Sequence, residues 1–414
     1  MTALSPTLGI NERVAALRAD GMRIHHLGFG QSPFPAPPRL VEALRRHAAE
    51  TAYLPVAGLG ALRKAVAEHQ RRLTGHDPEA FDVLVGPGSK ALLFAIQMAI
   101  PGDLLLPVPS WVSYAPQAAL LGQTVVPVPT RLDGGDYRID PDALGRTIHD
   151  ARDAGRRPTK LLLNFPNNPA GLTIENDSLA ALAAVCRTEG VALVSDEIYG
   201  RVAHAGPYRS AGPVWPEGAI VTTGLSKHLS LGGWRVGVAL VPKARSGLFG
   251  ALRHIASETW SCVAAPVQHA AVEAYRGHAD VETHVADCTA IHAAVTGHLA
   301  RGLERLGVDC PAPRGGFYAW PDFTRALGGR FDDSDALAAA LFDEVRVAAL
   351  PGRSFGEAER RLTLRLAACD YDGAAALERY RGLERGGRAA PALGAELAPG
   401  IDAALDAFAR FIGP

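Results

Sequence analysis

From about residue 82 onward, short apolar runs alternate with amphipathic stretches in a regular order. Asp82–Val85, Asp103–Leu106, Gln123–Val128, Lys160–Leu163, Val191–Ser195, Ala219–Thr223 and Arg235–Val241 read as strands. Helical patterns lie between them: one ending at Ile100, one running through Ala119, and one from about Glu175 to Glu189. In the last, Leu179, Leu182, Ala183 and Cys186 share a face, and Gly190 suits the left-handed position after a helix end. Continuously apolar strands alternating with helices predict an α/β fold, a mostly parallel sheet covered on both faces.

The flanks follow other patterns. The N-terminal part reads as a helix (Asn11–Ala19), an apolar segment (Ile24–Phe29), the Pro-rich extended loop GQSPFPAPP, and a helix over Arg39–Glu50. A glycine-containing loop then feeds the amphipathic stretch LRKAVAEHQRRL. Beyond about residue 290, helices at Ala290–Leu306 and Asp335–Val345, the segment RGGFYAW and the run Arg361–Ala367 predict a smaller α+β part. Glu378–Gly400, rich in Ala, Gly, Pro, Arg and Glu, predicts a mobile excursion. Ile401–Ile412 closes the chain with Ala404, Leu405, Phe408 and Phe411 on one helical face. The expected division is an arm over 1–47, a large domain over 48–290 and a small domain over 291–414 that shares elements with the arm.

Composition narrows the function classes. With 414 residues, 48% of them hydrophobic, and a formal net charge of −1, the chain has no electrostatic footprint for nucleic acid or an anionic membrane. Its five cysteines are scattered without a C-x-x-C pair, which argues against a disulfide framework or structural zinc and for a reducing compartment. The first residues lack the apolar core of a signal peptide. The longest apolar run, Ala91–Ile100, is too short to span a bilayer and contains Gln97. The expectation is a cytoplasmic protein.

In sheets of this kind, ligands bind beyond the carboxyl ends of the strands. GPGSK, PSWVSY, NFPNNPAG, DEIYG and SKHLS all fall at strand exits. Lysine is scarce. Lys64 lies in a helical pattern, Lys160 just precedes a strand and Lys243 follows a proline in a surface turn, which leaves Lys90 and Lys227. Lys227 sits in GLSKHLSLGGWRVG, where Gly224, Gly232, Gly233 and Gly237 imply tight turns or close approach to a ligand. Arg235, eight residues on, stands where a strand would begin and could meet an anion. A reactive amine beside an anion site suggests a Schiff base to a phosphorylated aldehyde cofactor; the plain alternative is a solvated surface lysine.

NNPAG, SDEIY and SKHLSLGGWRVG, in this order and spacing, resemble the class I/II aminotransferase family of fold-type I pyridoxal-phosphate enzymes. The resemblance runs from GFGQSPFP to LTLRLA. It implies pyridoxal 5′-phosphate as cofactor and Lys227 as the Schiff-base amine and proton shuttle. It implies that Asp196 pairs with the pyridinium nitrogen, that Tyr199 and Asn168 meet the phenolic oxygen, and that Trp111 stacks on the ring. Gly88, Ser89, Lys90 and Arg235 would hold the phosphate, the first three at a helix start where backbone N–H groups are free. Tyr53 matches a tyrosine that reaches the phosphate of a neighbouring subunit, so a homodimer is implied. Arg365 matches the arginine that holds the substrate α-carboxylate, with Arg361 as the nearby competitor, and Gly30 matches the loop that closes over that carboxylate.

The sequence also departs from the family's pattern. Ala170 stands where the N-N-P-T-G loop usually has threonine. No arginine occurs in Ser257–Pro266, where dicarboxylate-specific members carry one, and the tail after Asp370 is long and irregular. The implied reaction is amino transfer from an L-amino acid to a 2-oxo acid. The same fold also serves C–S lyases, β- or γ-eliminases and specialised biosynthetic enzymes, and some transcription regulators behind an N-terminal DNA-binding domain. Here the fold's elements begin almost at residue 1, and the charge balance is neutral, so the expectation is an enzyme.

Overall fold

Seven strands form the main sheet of the computed structural model, which describes residues 5–413 apart from 134–135, 205, 207 and 385–392. They are β1 (Phe81–Gly86), β2 (Asp103–Pro107), β3 (Val125–Val128), β4 (Pro158–Asn164), β5 (Ala192–Asp196), β6 (Ala219–Gly224) and β7 (Gly237–Pro242). Their order across the sheet is β1-β7-β6-β5-β4-β2-β3. Strands β3, β2, β4, β5 and β6 pair in parallel, and β7 is antiparallel to both neighbours. Every residue of β5 and β7 is buried, which is why β7 reads as an unbroken apolar run and β5 as one up to Ser195.

Helices cover the sheet and build the flanks: α1 (Pro6–Ala19), α2 (Pro38–Arg46), α3 (Gly60–Thr74), α4 (Ser89–Ala99), α5 (Tyr114–Leu120), α6 (Pro141–Asp153), α7 (Asn176–Thr188), α8 (Ser246–Thr259), α9 (Ala265–Tyr275), α10 (Ala279–Arg305), α11 (Ser334–Val345), α12 (Gly373–Glu384) and α13 (Pro399–Ile412). Gly190 has φ +65° just past α7, as its position required. Helix α10 begins at Ala279 rather than Ala290. Its buried stripe of Val281, Val285, Cys288, Ile291, Val295 and Leu299 is interrupted in sequence by the equally buried His284, Asp287 and His292, which hide the period.

Three further expectations are corrected. Arg235 does not open β7; it ends the short 3₁₀ turn Gly232–Trp234 at φ +53°, and the strand starts at Gly237. A Cβ on Gly237 would stand 2.4 Å from the Gly88 and Ser89 backbone, so the ladder begins where two main chains touch. Lys160 lies inside β4, and its ammonium donates to the carbonyls of Ile100 (2.8 Å) and Gly102 (2.7 Å), closing the end of α4. Most of the expected excursion at 378–400 is helical: α12, the turn Gly394–Leu397 and the start of α13, with Tyr380, Leu393 and Leu397 in the core. Residues 385–392 of that excursion lie outside the described residues.

A small antiparallel sheet joins β8 (Tyr318–Ala319), β9 (Leu350–Pro351) and β10 (Leu364–Ala367) in the order β8-β10-β9. Arg365 is therefore on the central strand. Leu27 and Phe34 pack into one core with residues from Cys288 to Phe411, so the N-terminal segment belongs with the C-terminal part. Among the described residues no helix is long and apolar enough to cross a membrane.

Candidate active site

A cavity of about 450 Å³ opens beyond the carboxyl ends of β4, β5 and β6. Gly88 and Tyr53 aside, every site residue singled out in the sequence lines it. The cavity floor is Asp196, the last residue of β5. Its Oδ2 accepts from the Tyr114 hydroxyl at 2.8 Å and its Oδ1 from Thr222 at 3.3 Å, while Asn164 donates to its carbonyl at 2.7 Å. Burial pushes the Asp196 carboxyl up to about 6, against the pull of those hydroxyls and of Lys227.

Lys227 enters from the loop after β6. Burial lowers its ammonium to about 8; Arg365 and Arg235 act in the same direction, and Cys369 and Asp196 oppose it. Its Nζ donates to the Gly30 carbonyl at 2.8 Å and stands 5.5 Å from the centre of the Tyr199 ring. The Tyr199 hydroxyl meets that of Tyr318 at 2.8 Å. Gly30 has no room for a side chain, since a Cβ there would fall 2.0 Å from the Tyr318 hydroxyl.

On one wall, Arg365 is fully buried on β10. Its guanidinium donates to Asn168 Oδ1 at 3.4 Å and to the Gly28 carbonyl, and lies 4.9 Å from the Tyr318 ring centre. Its Nε has no protein partner. The competing Arg361 instead pairs with Asp322 at 2.9 Å on the surface, so β10 directs Arg365, not Arg361, to the cavity.

On the opposite wall, α4 starts at Ser89 after Gly88 at φ +88°. A Cβ on Gly88 would stand 2.3 Å from Arg235 Nη2, which donates to the Pro87 carbonyl at 3.1 Å. Lys90 Nζ is 5.0 Å from the ring centre of the half-buried Trp111, and burial followed by Arg235 lowers its pKa. Tyr53 is 91% exposed and does not line this cavity.

Sequence reasoning missed several lining residues: Tyr114, Asn164, Ser226, Tyr318, and Ser5, Thr7 and Leu8 at the start of α1. Tyr114 and Tyr318 lie within PSWVSY and RGGFYAW, where a phenol amid apolar neighbours was the available signal. The start of α1 offered none, because only the fold brings it to strands more than a hundred residues away.

The sequence matches the aminotransferase class I and II family over residues 23–375. This chain belongs to that family. It is 32% identical to the probable aspartate/prephenate aminotransferase of Thermus aquaticus, over 85% of this chain and 89% of the relative. It is 29% identical to the aspartate aminotransferase of Bacillus subtilis, over 87% and 91%. Its fold superposes on the Thermus thermophilus aspartate aminotransferase solved with maleate with a TM-score of 0.83, at 29% identity, covering 99% of this chain and 97% of that one.

This aminotransferase is therefore a pyridoxal-phosphate-dependent transferase, and its cavity fits the cofactor. A buried carboxylate stands ready for a cationic ring nitrogen. The amine near pKa 8 suits an aldehyde. At Gly88 the absent side chain lets Arg235 close on the start of α4, leaving guanidinium and backbone donors for a phosphate.

Proposed function

We propose that this aminotransferase moves the amino group of an L-amino acid to a 2-oxo acid, with Lys227 as the cofactor's covalent anchor and as the base at the substrate α-carbon. The observation that carries the reading is the buried Lys227 ammonium, lowered to about 8 in a cavity that it shares with Asp196 and Arg365. When bound, pyridoxal phosphate supplies an aldehyde and an electron-withdrawing ring that accepts the electrons left at the α-carbon. The chain does the rest.

Asp196 would hold the proton on the ring nitrogen, which its two hydroxyl partners favour by keeping the carboxylate ionised. Tyr199 and Asn168 would donate to the phenolic oxygen, and Trp111 would cover a ring face. Ser89, Lys90, Arg235 and the backbone at Gly88 would hold the phosphate. Arg365 clamps the substrate carboxylate, for which its partnerless Nε is available, and the Gly30 loop, with its carbonyl on Lys227, closes the same side. With cofactor and substrate bound, Lys227 Nζ would take the α-proton. An amine near pKa 8 is partly free at neutrality, as a general base must be.

The decisive experiment is Lys227→Ala. The parent should yield a peptide with cofactor fixed on Lys227 after borohydride reduction, and the variant should yield none and transfer no amino group. Undiminished transfer by the variant would sink the assignment. Ammonia or pyruvate released without an acceptor would favour an eliminase on the same fold.

A homodimer is part of the proposal, with Tyr53 reaching the partner's phosphate site; its exposure supports this. Mixing Lys227→Ala with Tyr53→Ala chains tests it, because only a shared site restores one intact centre per mixed dimer. We also place the division between the large and small parts within α10, and the enzyme in the cytoplasm, which suits five free cysteines. The relatives named above carry aspartate in their names, while residues 257–266 hold no arginine. Half-reactions with aspartate beside neutral and aromatic amino acids decide the donor.

A further inference from the structure

We propose that His47, Glu50 and His269 form a binding site for a divalent d-block cation of the zinc type, separate from the cofactor cavity. His47 follows the last residue of α2, Glu50 lies three residues on, and His269 stands in α9, which packs against α2. The two imidazoles stack with ring centres 4.8 Å apart and 22° between their planes. His47 Nδ1 is 3.5 Å from Glu50 Oε1, and one donor atom from each of the three residues lies within 4.8 Å of the others.

Donors about 2.0–2.1 Å from a tetrahedral zinc ion stand roughly 3.3–3.4 Å apart. The His47–Glu50 pair already has that spacing. Bringing in His269 takes a movement of about 1.5 Å at most, within reach of side-chain rotation because both imidazoles are only half-buried. Two imidazoles with one carboxylate suit zinc, cobalt or nickel, whereas magnesium and calcium take oxygen ligands. Glu50 is exposed, so water can complete the coordination.

Other histidines pair with a single carboxylate: His149 with Glu189 at 3.0 Å, and His278 with Glu273 at 2.8 Å. Among the described residues, only the His47 cluster brings three such donors together. Its position has a consequence. Glu50 opens the segment that carries Tyr53, and the far end of that segment is held by the Leu59 N–H, which donates to Gln268 at 2.8 Å. Residues 268 and 269 thus meet both ends of the segment, and a bound cation would clamp the Glu50 end to α9, beyond the local bond from the Glu50 N–H to the His47 carbonyl at 3.0 Å.

The test titrates the holoenzyme with Zn²⁺ by calorimetry and with Co²⁺ by its visible d–d absorption. The parent and a His149→Ala control should take up one cation per chain with a tetrahedral cobalt spectrum. His47→Ala and His269→Ala should each weaken binding by about tenfold or more while keeping the cofactor absorbance that reports a folded enzyme. Hydrogen exchange over residues 50–58 should slow with Zn²⁺ in the parent and not in His269→Ala, and Mg²⁺ should not compete. Equal uptake by parent and His269→Ala, or no cobalt spectrum at all, would leave only a surface His–Glu pair beside a stacked ring and overturn the proposal.

Discussion

The Tyr114 hydroxyl donates to Asp196 Oδ2 at 2.8 Å, from the first residue of α5 to the last of β5. It steadies a negative charge that burial opposes, and burial still leaves the carboxyl raised to about 6. Tyr114→Phe removes a hydrogen bond to a charged group, worth about 1.5–3 kcal/mol, so cofactor affinity at neutral pH should fall by roughly tenfold or more. The sign with pH follows from the raised carboxyl pKa. Ionised Asp196 is lost as pH falls through about 6 in the parent, and should be lost at a higher pH in the variant. Equilibrium dialysis of cofactor against pH measures both, and an unshifted profile would remove Tyr114 from this role.

Lys227 sets a second pH dependence. With its pKa lowered to about 8, the free amine fraction should rise through pH 8 and then level off, where an ordinary lysine would do so near 10.5. The rate at which the apoenzyme takes up cofactor, followed by absorbance at constant ionic strength, should show that midpoint. A midpoint near 10 would mean that the amine is solvated before the cofactor arrives.

Arg365 and Arg361 are four residues apart and separate cleanly. Arg365→Lys loses a planar fork in a buried site, and kcat/KM should fall at least ~100-fold, about 2.7 kcal/mol. Arg361→Ala removes an exposed ion pair with Asp322, and should leave kcat/KM within about twofold and stability within ~1 kcal/mol. Steady-state kinetics with one donor decides both.

Gly30 is fixed by sterics rather than by backbone conformation. A methyl group there would meet the Tyr318 hydroxyl at 2.0 Å, so Gly30→Ala should cost about 1–3 kcal/mol and raise KM as Tyr318 shifts against Arg365. Gly60→Ala is the contrast. Gly60 opens α3 with nothing within 4 Å of its missing Cβ, and alanine there should be neutral or stabilise by up to about 1 kcal/mol. Thermal melts and KM values read out both.

Much of the fold was legible because it is written in short-range periodicity. Val191–Ser195 and Ala219–Thr223 are mostly apolar because their strands are covered on both faces, and that placed Asp196 and Lys227 at strand exits. Helix α10 was only half legible, since buried histidines and an aspartate broke its apolar stripe. The irregular reading of 378–400 failed for a related reason: Tyr380, Leu393 and Leu397 reach a core formed by distant residues.

By itself, the sequence determined the α/β alternation and the strand-exit loops, and it narrowed the reactive lysine to Lys90 or Lys227. Each of these depends on neighbours within a few residues. Only the tertiary structure decided the left-handed turn that aims Arg235 at Gly88, the choice of Arg365 over Arg361, and the meeting of Tyr199 with Tyr318. Two of those relationships join residues more than a hundred positions apart, and they are set by which backbones can touch once the core has closed.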